Sequence, residues 1–312
     1  MLIVQNTEHF RIETPTILTI GTFDGVHVGH QKILARLKEL KEKLGLKTVV
    51  LTFDPHPRKV LFPEQKDLKI ITLIEEKLDL FEKYGVDVAV VYPFNKAFSQ
   101  LEVKHYLEEI LLRQLNVKHL VIGYDHKFGK DRKGDINTLK EHADKYKFTI
   151  EEISKKDIES IAVSSTNIRK AIEEGNIELA TNFLGHLFFI KAKVVKGKQL
   201  GRTIGFPTAN LQIEDSDKLI PKIGVYFVEV IVEGEKHFGM LNVGLNPTTD
   251  TDNKLKIEVN IFDFEKDIYN TTITLNFIKW LRDEKKFNNL NELIDAIKAD
   301  KDNCLALIKT KA

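Results

Sequence analysis

The sequence contains very little cysteine, no long apolar run and almost no net charge. Cys304 is the single cysteine in 312 residues, so a disulfide within the chain and a zinc site built on several cysteines are both excluded. The 47 basic and 46 acidic residues leave a formal net charge of +1, which gives no reason to expect a nucleic acid partner. No apolar run approaches the roughly 18 residues that cross a membrane, and the first residues lack a signal-peptide pattern. These absences predict a cytoplasmic protein without a membrane or nucleic acid partner.

The first half of the chain alternates apolar strands with amphipathic helices. Strands are predicted at residues 16–23, 47–53, 86–94 and 119–125, and helices at residues 30–45, 75–84 and 103–115. Near-continuous apolar strands separated by such helices are typical of a parallel sheet that is covered on both faces. The chain length leaves room for a second domain.

The pattern changes near residue 185. Strands are predicted at residues 188–195, 224–232, 256–264 and 272–281, followed by one helix at residues 289–308. Ile257, Val259 and Ile261 alternate along their strand and therefore fall on one face. This order predicts a small antiparallel barrel with a C-terminal helix, and two domains at residues 1–184 and 185–312.

The stretch GTFDGVHVGHQ, residues 21–31, places two histidines where a strand ends and a helix begins. A helix start at that end of a parallel sheet offers free N–H groups and a positive dipole end to a phosphate, and Gly29 permits close approach. His27 and His30 would then donate hydrogen bonds to phosphate oxygens. Two alternatives remain open at this point: ordinary packing histidines, or a metal pair completed by Asp24. Neither GxxxxGK[ST] nor GxGxxG occurs at this turn.

A second stretch, VSSTNIRKAIEEG at residues 163–175, carries hydroxyls and a guanidinium at a predicted helix start. Ser165, Thr166 and Arg169 could clamp an anion there, or the hydroxyls could be a plain helix N-cap. Together with the HVGH stretch, this segment resembles the HxGH nucleotidyltransferase superfamily. The resemblance implies a Rossmann-like α/β domain that transfers a nucleotidyl group from a triphosphate and releases pyrophosphate. It also implies that His27 and His30 stabilise the α-phosphate transition state.

The same resemblance implies a nucleotide-binding set in the first half of the chain. Ser165, Thr166 and Arg169 would hold the triphosphate. The ATP and phosphate set is completed there by Gly29 and by Asp125, which lies where the family carries an Asn or Asp near the ribose.

In the second half, GKQLGRTIGFPTANL at residues 197–211 is rich in glycine and basic residues. Thr208 and Asn210 are two residues apart, so on a strand their oxygen-bearing side chains share one face, as a Mg²⁺ site requires. Lys198, Gly201 and Arg202 could form a loop over nucleotide phosphates. The alternative is a solvated connection between strands.

Three further side chains in the second half are candidates for chemistry. Glu258 lies in mid-strand on the face opposite its apolar neighbours, where it could accept a hydroxyl proton or simply be exposed. Arg282 and Glu284 precede the last helix and are polar candidates for ligand binding. Trp280, beside them, could hold a flat ring or belong to the core.

The second half resembles riboflavin kinase in five pieces, GRTIGFPTAN, GVYFVEV, GMLNVGLNPT, IEVNIFDF and LRDEKKF. With an HxGH half before it, the whole chain resembles the bacterial bifunctional riboflavin kinase/FAD synthetase family. The family implies a split antiparallel barrel, Mg²⁺ and ATP bound by Thr208 and Asn210, and Glu258 as base for the riboflavin 5′-hydroxyl. It also implies that Arg282 and Glu284 bind the flavin. FMN and FAD would be the products and riboflavin, FMN and ATP the partners, with a homo-oligomer left open.

Three positions depart from the family pattern. His126 stands where relatives often have an aromatic residue, Ala162 where some have arginine, and Asn270 where many have glycine. Two rival functions also remain: another HxGH transferase with a regulatory second domain, and a flavin sensor without catalysis. A flavin-specific second domain argues against the first rival, and product formation would argue against the second.

Overall fold

The computed structural model describes residues 1–5, 7–64, 67–124, 126–154, 163–197, 200–245 and 255–309, without the side chains of residues 132, 200 and 202. The chain divides into two compact units, Met1–Ser165 and Thr166–Ala312. Each unit has its own sheet and is described by itself.

The described part of the first unit contains a six-stranded parallel sheet in the order β1-β4-β3-β2-β5-β6. Its strands are β1 (Leu2–Val4), β2 (Thr16–Ile20), β3 (Lys47–Asp54), β4 (Val88–Pro93), β5 (Val117–Gly123) and β6 (Thr149–Ile153). The helices are α1 (Val28–Leu44), α2 (Pro57–Leu61), α3 (Ile74–Lys83), α4 (Lys96–Ser99), α5 (Val103–His105) and α6 (Ile136–Tyr146). The predicted α/β domain with a parallel sheet is confirmed.

The strand order reverses direction beside β2. The chain runs from β2 through β3 to β4 on one side, and β5 and β6 lie on the other side. In open parallel sheets a ligand binds at such a switch point, outside the carboxyl ends of the strands. All five residues of β2 are buried, so the strand is fixed in the core and the residues that follow it are presented at this edge.

Two predicted helices begin or continue differently from the expectation. Helix α1 begins at Val28 with His27 as its N-cap, two residues earlier than predicted, and its C-cap Gly45 has φ +67°, which glycine adopts without strain. The helix predicted at residues 103–115 is a short α5 that continues as a π-helix over Tyr106–Gln114. A hydrophobic periodicity cannot separate these two helical forms, because both bury one apolar face.

The second unit contains a closed antiparallel barrel in the order β10-β11-β8-β7-β12-β9 within its described residues. Its strands are β7 (Phe189–Val195), β8 (Ala209–Gln212), β9 (Gly224–Val232), β10 (Glu235–Leu245), β11 (Leu255–Ile261) and β12 (Thr272–Arg282). The helices are α7 (Ser165–Glu173, with its first residue in the first unit), α8 (Ile177–Leu184), α9 (Leu200–Thr203) and α10 (Leu290–Lys309). The predicted barrel with a C-terminal helix is confirmed.

Strand β11 separates a core face from a cleft face. Ile257, Val259 and Ile261 are buried as the alternation predicted, while Glu258 lies on the other face and lines a cleft. Helix α10 closes the barrel by packing Cys304, which is fully buried, against an apolar cluster that includes Phe227 and Met240. The core therefore fixes the strands whose opposite faces carry the polar side chains.

The turn before β12 accounts for one departure from the family pattern. Asn270 has φ +65°, a left-handed conformation that glycine adopts freely and that asparagine tolerates better than other side chains. None of the described helices combines the length and the apolar character that a membrane crossing requires.

Candidate functional sites

A cleft of about 830 Å³ opens at the carboxyl ends of β2 and β5. His27, Gly29, His30 and Ser165 all line this cleft, so the structure brings together these residues from the two predicted stretches of the first half. Aromatic side chains line it too, among them Phe53, Phe94, Phe98, Tyr106 and Phe128. The cleft thus offers a polar helix start together with an apolar surface that fits a flat ring system.

The two histidines form a stacked pair at the helix start. Their ring centroids are 3.6 Å apart with an angle of 17° between the planes. The Nδ1 atom of His27 accepts a hydrogen bond from the backbone N–H of His30 at 3.4 Å, which caps α1. The ring of Phe23 packs against His30 with centroids 5.0 Å apart. These contacts hold both imidazoles in fixed orientations beside the free N–H groups of the helix.

The His30 imidazole is kept neutral. Burial is the largest cause that lowers the pKa of His30 well below its ordinary value, followed by the charges of His27 and Lys77. Its Nδ1 atom is buried and has no hydrogen-bond partner among the described residues. A neutral ring in this position can donate a hydrogen bond to a phosphate oxygen as negative charge develops there.

Hydrogen bonds hold the loop between β2 and α1 in place. The Asp24 carboxylate accepts hydrogen bonds from the N–H groups of Ile71 and Thr72 at 2.9 and 3.1 Å. The Gly25 N–H donates to Thr72 Oγ1 at 2.9 Å, and Ser165 Oγ donates to the carbonyl of Asp24 at 3.0 Å. Asp24 therefore fixes the loop, and no group of three or more His, Cys, Asp or Glu suited to a metal occurs among the described residues. This geometry favours the phosphate interpretation over the metal pair.

Lys77 is a functional candidate that the sequence reasoning missed. Its side chain lies in α3 with 5% exposure, and Nζ donates to Thr52 Oγ1 at 3.3 Å. Burial lowers the pKa of Lys77 to about 8, against the opposing influence of Asp24 and Asp54. The signal that the sequence offered was a lysine within a helix that has an apolar stripe, because lysines are rare in protein cores.

The other predicted residues of the first half fall in three places. Thr166 and Arg169 follow Ser165 on α7 and belong to the second compact unit, and Arg169 is buried. Asp125 and Ala162 lie outside the described residues. His126 lines the cleft and stacks on Phe128, with centroids 5.7 Å apart and planes at 23°.

A second cleft, of about 320 Å³, lies on the barrel of the second unit. The predicted residues Gly201, Thr208, Glu258, Arg282 and Glu284 all line it. They come from the α9 turn, the start of β8, the middle of β11 and the end of β12, so closure of the barrel brings distant segments together.

A polar row crosses three neighbouring strands, and two of its members, Glu258 and Asn242, line this cleft, whereas Asn210 is not among its lining residues. Glu258 on β11 is the register partner of Asn210 on β8 and of Asn242 on β10. Directly opposite residues of antiparallel strands project on the same face, which places the two amides on either side of the carboxylate. Asn242 is a site residue that sequence reasoning missed, because cross-strand register is set by the barrel.

Two glycines make room for the predicted metal-binding side chains. A β-carbon on Gly197 would clash with the Asn210 side chain, and one on Gly201 would clash with the carbonyl oxygen of Phe206 and lie 3.3 Å from Thr208 Oγ1. The hydroxyl and amide oxygens of Thr208 and Asn210 are hard donors of the kind that Mg²⁺ accepts beside nucleotide phosphates. These donor types fit a magnesium ion, and of the two residues Thr208 lines the cleft.

Four charged side chains of the second cleft form two ion pairs. Lys256 Nζ lies 2.8 Å from Glu258 Oε2. Glu284 packs so closely on Gly244 that a β-carbon there would clash with Oε1. Arg282 donates two hydrogen bonds from Nε and one from Nη2 to the buried carboxylate of Asp300, at 2.7–3.1 Å, and so ties β12 to α10.

Trp280, Lys198 and Arg202 are the remaining candidates of the second half. Trp280 is not among the residues lining this cleft; the ammonium of Lys222 lies 4.6 Å from its ring centroid, and Gly224 packs against its Nε1. Lys198 and the side chain of Arg202 lie outside the described residues.

The fold and the two clefts define a class of protein, a two-domain enzyme of nucleotide phosphate chemistry. A family model described as FAD synthetase matches residues 9–167, and one described as riboflavin kinase matches residues 184–308. The chain is 40% identical to the bifunctional riboflavin kinase/FMN adenylyltransferase of Listeria monocytogenes, over 93% of this chain and 91% of that protein. It is 38% identical to the protein of the same name in Bacillus subtilis, over 94% and 92%. The chain therefore belongs to the bifunctional riboflavin kinase/FMN adenylyltransferase family, as the sequence predicted.

A solved structure extends the agreement in fold to almost the whole chain. The crystal structure described as a macrolide-efflux protein from Streptococcus pneumoniae matches with a TM-score of 0.87 at 32% identity, covering 97% of this chain and 98% of that one. Its name differs from those of the family matches. The two family models and the two relatives carry the family assignment, and the structure carries the fold.

Proposed function

We propose that the barrel cleft converts riboflavin and ATP to FMN and ADP, and that the cleft of the parallel sheet converts FMN and a second ATP to FAD and pyrophosphate. One observation carries this division of labour. Each of the two matched family segments contains the described lining of one of these clefts, with residues 20–165 in the first and 201–300 in the second. We assign the two activities to residues 1–184 and 185–312.

In the kinase reaction, Glu258 accepts the proton of the riboflavin 5′-hydroxyl. The hydroxyl oxygen forms a bond to the γ-phosphorus, the bond from that phosphorus to the bridging oxygen breaks, and ADP leaves. A hydroxyl is a weak nucleophile at neutral pH, so this step gains from a positioned base. The support is the placement of Glu258 in the cleft between the register partners Asn210 and Asn242.

The remaining residues of the barrel cleft bind the substrates. Thr208 and Asn210 would hold Mg²⁺, which when bound neutralises phosphate charge. Gly201, Lys198 and Arg202 form the loop over the phosphates, and the close packing of Gly201 on Phe206 and Thr208 supports this arrangement. Arg282 and Glu284 position the flavin, and the bond from Arg282 to Asp300 holds that guanidinium against the cleft wall.

In the adenylyl transfer, a phosphate oxygen of FMN forms a bond to the α-phosphorus of ATP, and the bond to the α–β bridging oxygen breaks to release pyrophosphate. The nucleophile is already an anion, so charge stabilisation matters more than a base. His27 and His30 donate hydrogen bonds to the α-phosphate, and the N–H groups of Gly29 and its neighbours add the helix dipole. The support is the stacked histidine pair at the helix start.

The triphosphate is held by residues around the start of α7. Ser165 lines the cleft and is tied to the HVGH loop through the carbonyl of Asp24. Thr166 and Arg169 follow on the same helix, and Asp125 would contact the ribose. We further propose a cytoplasmic location, because the substrates ATP and riboflavin meet there and the single cysteine suits a reducing compartment.

The test is a time course of the products formed by the purified chain with riboflavin, ATP and Mg²⁺, separated by chromatography. We expect FMN to appear first and FAD to follow after a lag. FMN without FAD would remove the proposed role of the histidine cleft. Flavin binding without any product would overturn the proposal in favour of a flavin sensor.

A further inference from the structure

Glu258 is bonded to a neighbour on its own strand. Lys256 and Glu258 are two residues apart on β11, so both side chains project on the cleft face, and both line the cleft. The Nζ and Oε2 atoms are 2.8 Å apart, with 35% of the lysine and 21% of the glutamate side chain exposed. An ion pair that is partly withdrawn from water keeps a more definite geometry than a fully exposed one.

The neighbours of this ion pair restrict where the carboxylate can turn. Asn210 and Asn242 flank Glu258 across the strands, and the register partner of Lys256 is Gly244, which leaves open space beside the lysine stem. That space is occupied by the carboxylate of Glu284, which packs on Gly244. The Lys256–Glu258 pair and the Glu284 carboxylate therefore line one cleft, in which a nucleotide triphosphate must also fit.

Resting on the proposed kinase function, we propose that Lys256 is a positioning residue for phosphoryl transfer. By binding Oε2 of Glu258 it fixes the carboxylate in one orientation, so that Oε1 is the oxygen that receives the proton of the 5′-hydroxyl. Lys256 acts through Glu258 and not on the substrate itself.

The first experiment compares steady-state FMN formation by the full chain and by three variants. Lys256→Met keeps the length of the stem without its charge, and we expect kcat to fall about tenfold or more, as loss of positioning does, with little change in the KM for riboflavin. Lys256→Arg should restore most of the rate. The matched control is Lys236→Met, which removes a strand lysine bonded to Glu229 at 3.3 Å outside the cleft and should leave kcat unchanged. A wild-type kcat for Lys256→Met would overturn the proposal.

The second experiment is a double-mutant cycle measured under single-turnover conditions. In the Glu258→Gln background, Lys256→Met should cause no further loss of the residual rate. An equal loss in both backgrounds would show that Lys256 acts on the nucleotide and would overturn the proposal. FMN formation by Lys256→Gln and the thermal melting of each variant are measured in parallel, so that a folding defect in one variant does not decide the result.

The proposed function and this inference fail in different ways. If Glu258→Gln forms FMN at the wild-type rate, the proposed base is wrong. If Glu258→Gln is inactive while Lys256→Met is fully active, the base stands and the positioning role of Lys256 is refuted.

Discussion

The two clefts that we propose as the sites of ATP chemistry are lined by different side chains. The sheet cleft surrounds two stacked imidazoles with aromatic side chains, and burial keeps His30 neutral. The barrel cleft carries a carboxylate in an ion pair, flanked by amides. The difference follows from the nucleophiles, because a phosphate attacks as an anion and a hydroxyl must lose a proton. The comparison indicates that the side chains a phosphate site needs depend on whether the attacking group must lose a proton.

The largest effect should come from removing the base of the barrel cleft. Glu258→Gln keeps the shape of the side chain but cannot accept the hydroxyl proton, so FMN formation should fall by about 10²–10⁴-fold. FAD formation from supplied FMN should remain at the wild-type rate, and Glu229→Gln, on strand β9 outside the cleft, is the control. Both rates are measured by product chromatography. An equal loss of the two activities would break the comparison between the clefts.

The corresponding experiment on the sheet cleft removes one imidazole. His30→Ala deletes a donor to the developing charge on the α-phosphate, so FAD formation should fall by about 10²–10³-fold, while riboflavin is still phosphorylated normally. His142→Ala, in α6 of the same unit but outside the cleft lining, should change neither rate. An unchanged rate of FAD synthesis in His30→Ala would refute the phosphate role.

The wall of the barrel cleft should be a stability element as well as a binding surface. Asp300→Ala leaves the Arg282 guanidinium without its carboxylate, and the free energy of unfolding should fall by about 3 kcal/mol, the low end for a broken buried pair. The low end applies because Arg282 keeps 21% of its side chain exposed. Asp295→Ala on the exposed face of the same helix is the control. Denaturant unfolding measures the difference, and equal curves would show that this ion pair does not brace the wall.

Lys77, the buried lysine of α3, should reduce the stability of the folded chain at neutral pH although it supports activity. Its pKa is lowered from 10.5 to about 8, so the folded chain binds fewer protons than the unfolded chain between these values. Stability should therefore rise as the pH rises through this window, and the charged form costs about 3 kcal/mol at neutral pH. Lys77→Met should raise the free energy of unfolding at neutral pH and abolish the rise at alkaline pH.

A comparison of the Lys77 variant with an exposed lysine of the same helix sharpens this prediction. Lys83→Met should leave the alkaline rise in stability unchanged, because Lys83 is exposed. Of the two variants, only Lys77→Met should lower FAD synthesis, because Lys77 affects the charge environment of His30 and Lys83 does not. A Lys77→Met chain that keeps the alkaline rise would show that another group titrates there.

The smallest effect should come from the turn before β12. Asn270→Ala places an alanine at φ +65° and should lower the free energy of unfolding by about 1 kcal/mol, whereas Asn270→Gly should change it by less. Thermal melting of the two variants provides the measurement. Equal melting of the alanine and glycine variants would mean that the turn relaxes to another conformation.

Local sequence patterns predicted most strands and the main helices because they depend on neighbouring residues. The strand at residues 224–232 coincides with β9, and the helix at residues 30–45 differs from α1 by two residues at its start. The strands β6 and β10 were not predicted as strands from pattern, since charged residues interrupt the first and glycines the second. Their pairing with neighbouring strands supplies the backbone hydrogen bonds that weak local preference does not.

The predicted site residues show the same division. Local pattern alone left the roles of Glu258 and of the HVGH histidines open, and the resemblance to the family is what made them predicted site residues. Lys77, Lys256 and Asn242 were missed because their relevance depends on what lies across a strand or beneath a loop. A lysine two residues before Glu258 could have been noticed from the period of the strand, but its contact at 2.8 Å is a fact of side-chain geometry.

The sequence by itself determined the two-domain order, the positions of the motifs and the polar and apolar faces of the strands, because periodicity and turn residues act over a few neighbours. Only the tertiary structure decided that His30 is neutral, that Asp24 fixes a loop and that Glu258 has Lys256 as its partner. Charge states and ion pairs depend on burial and on distances between side chains brought together by folding, and these quantities exist only once the chain has closed around them.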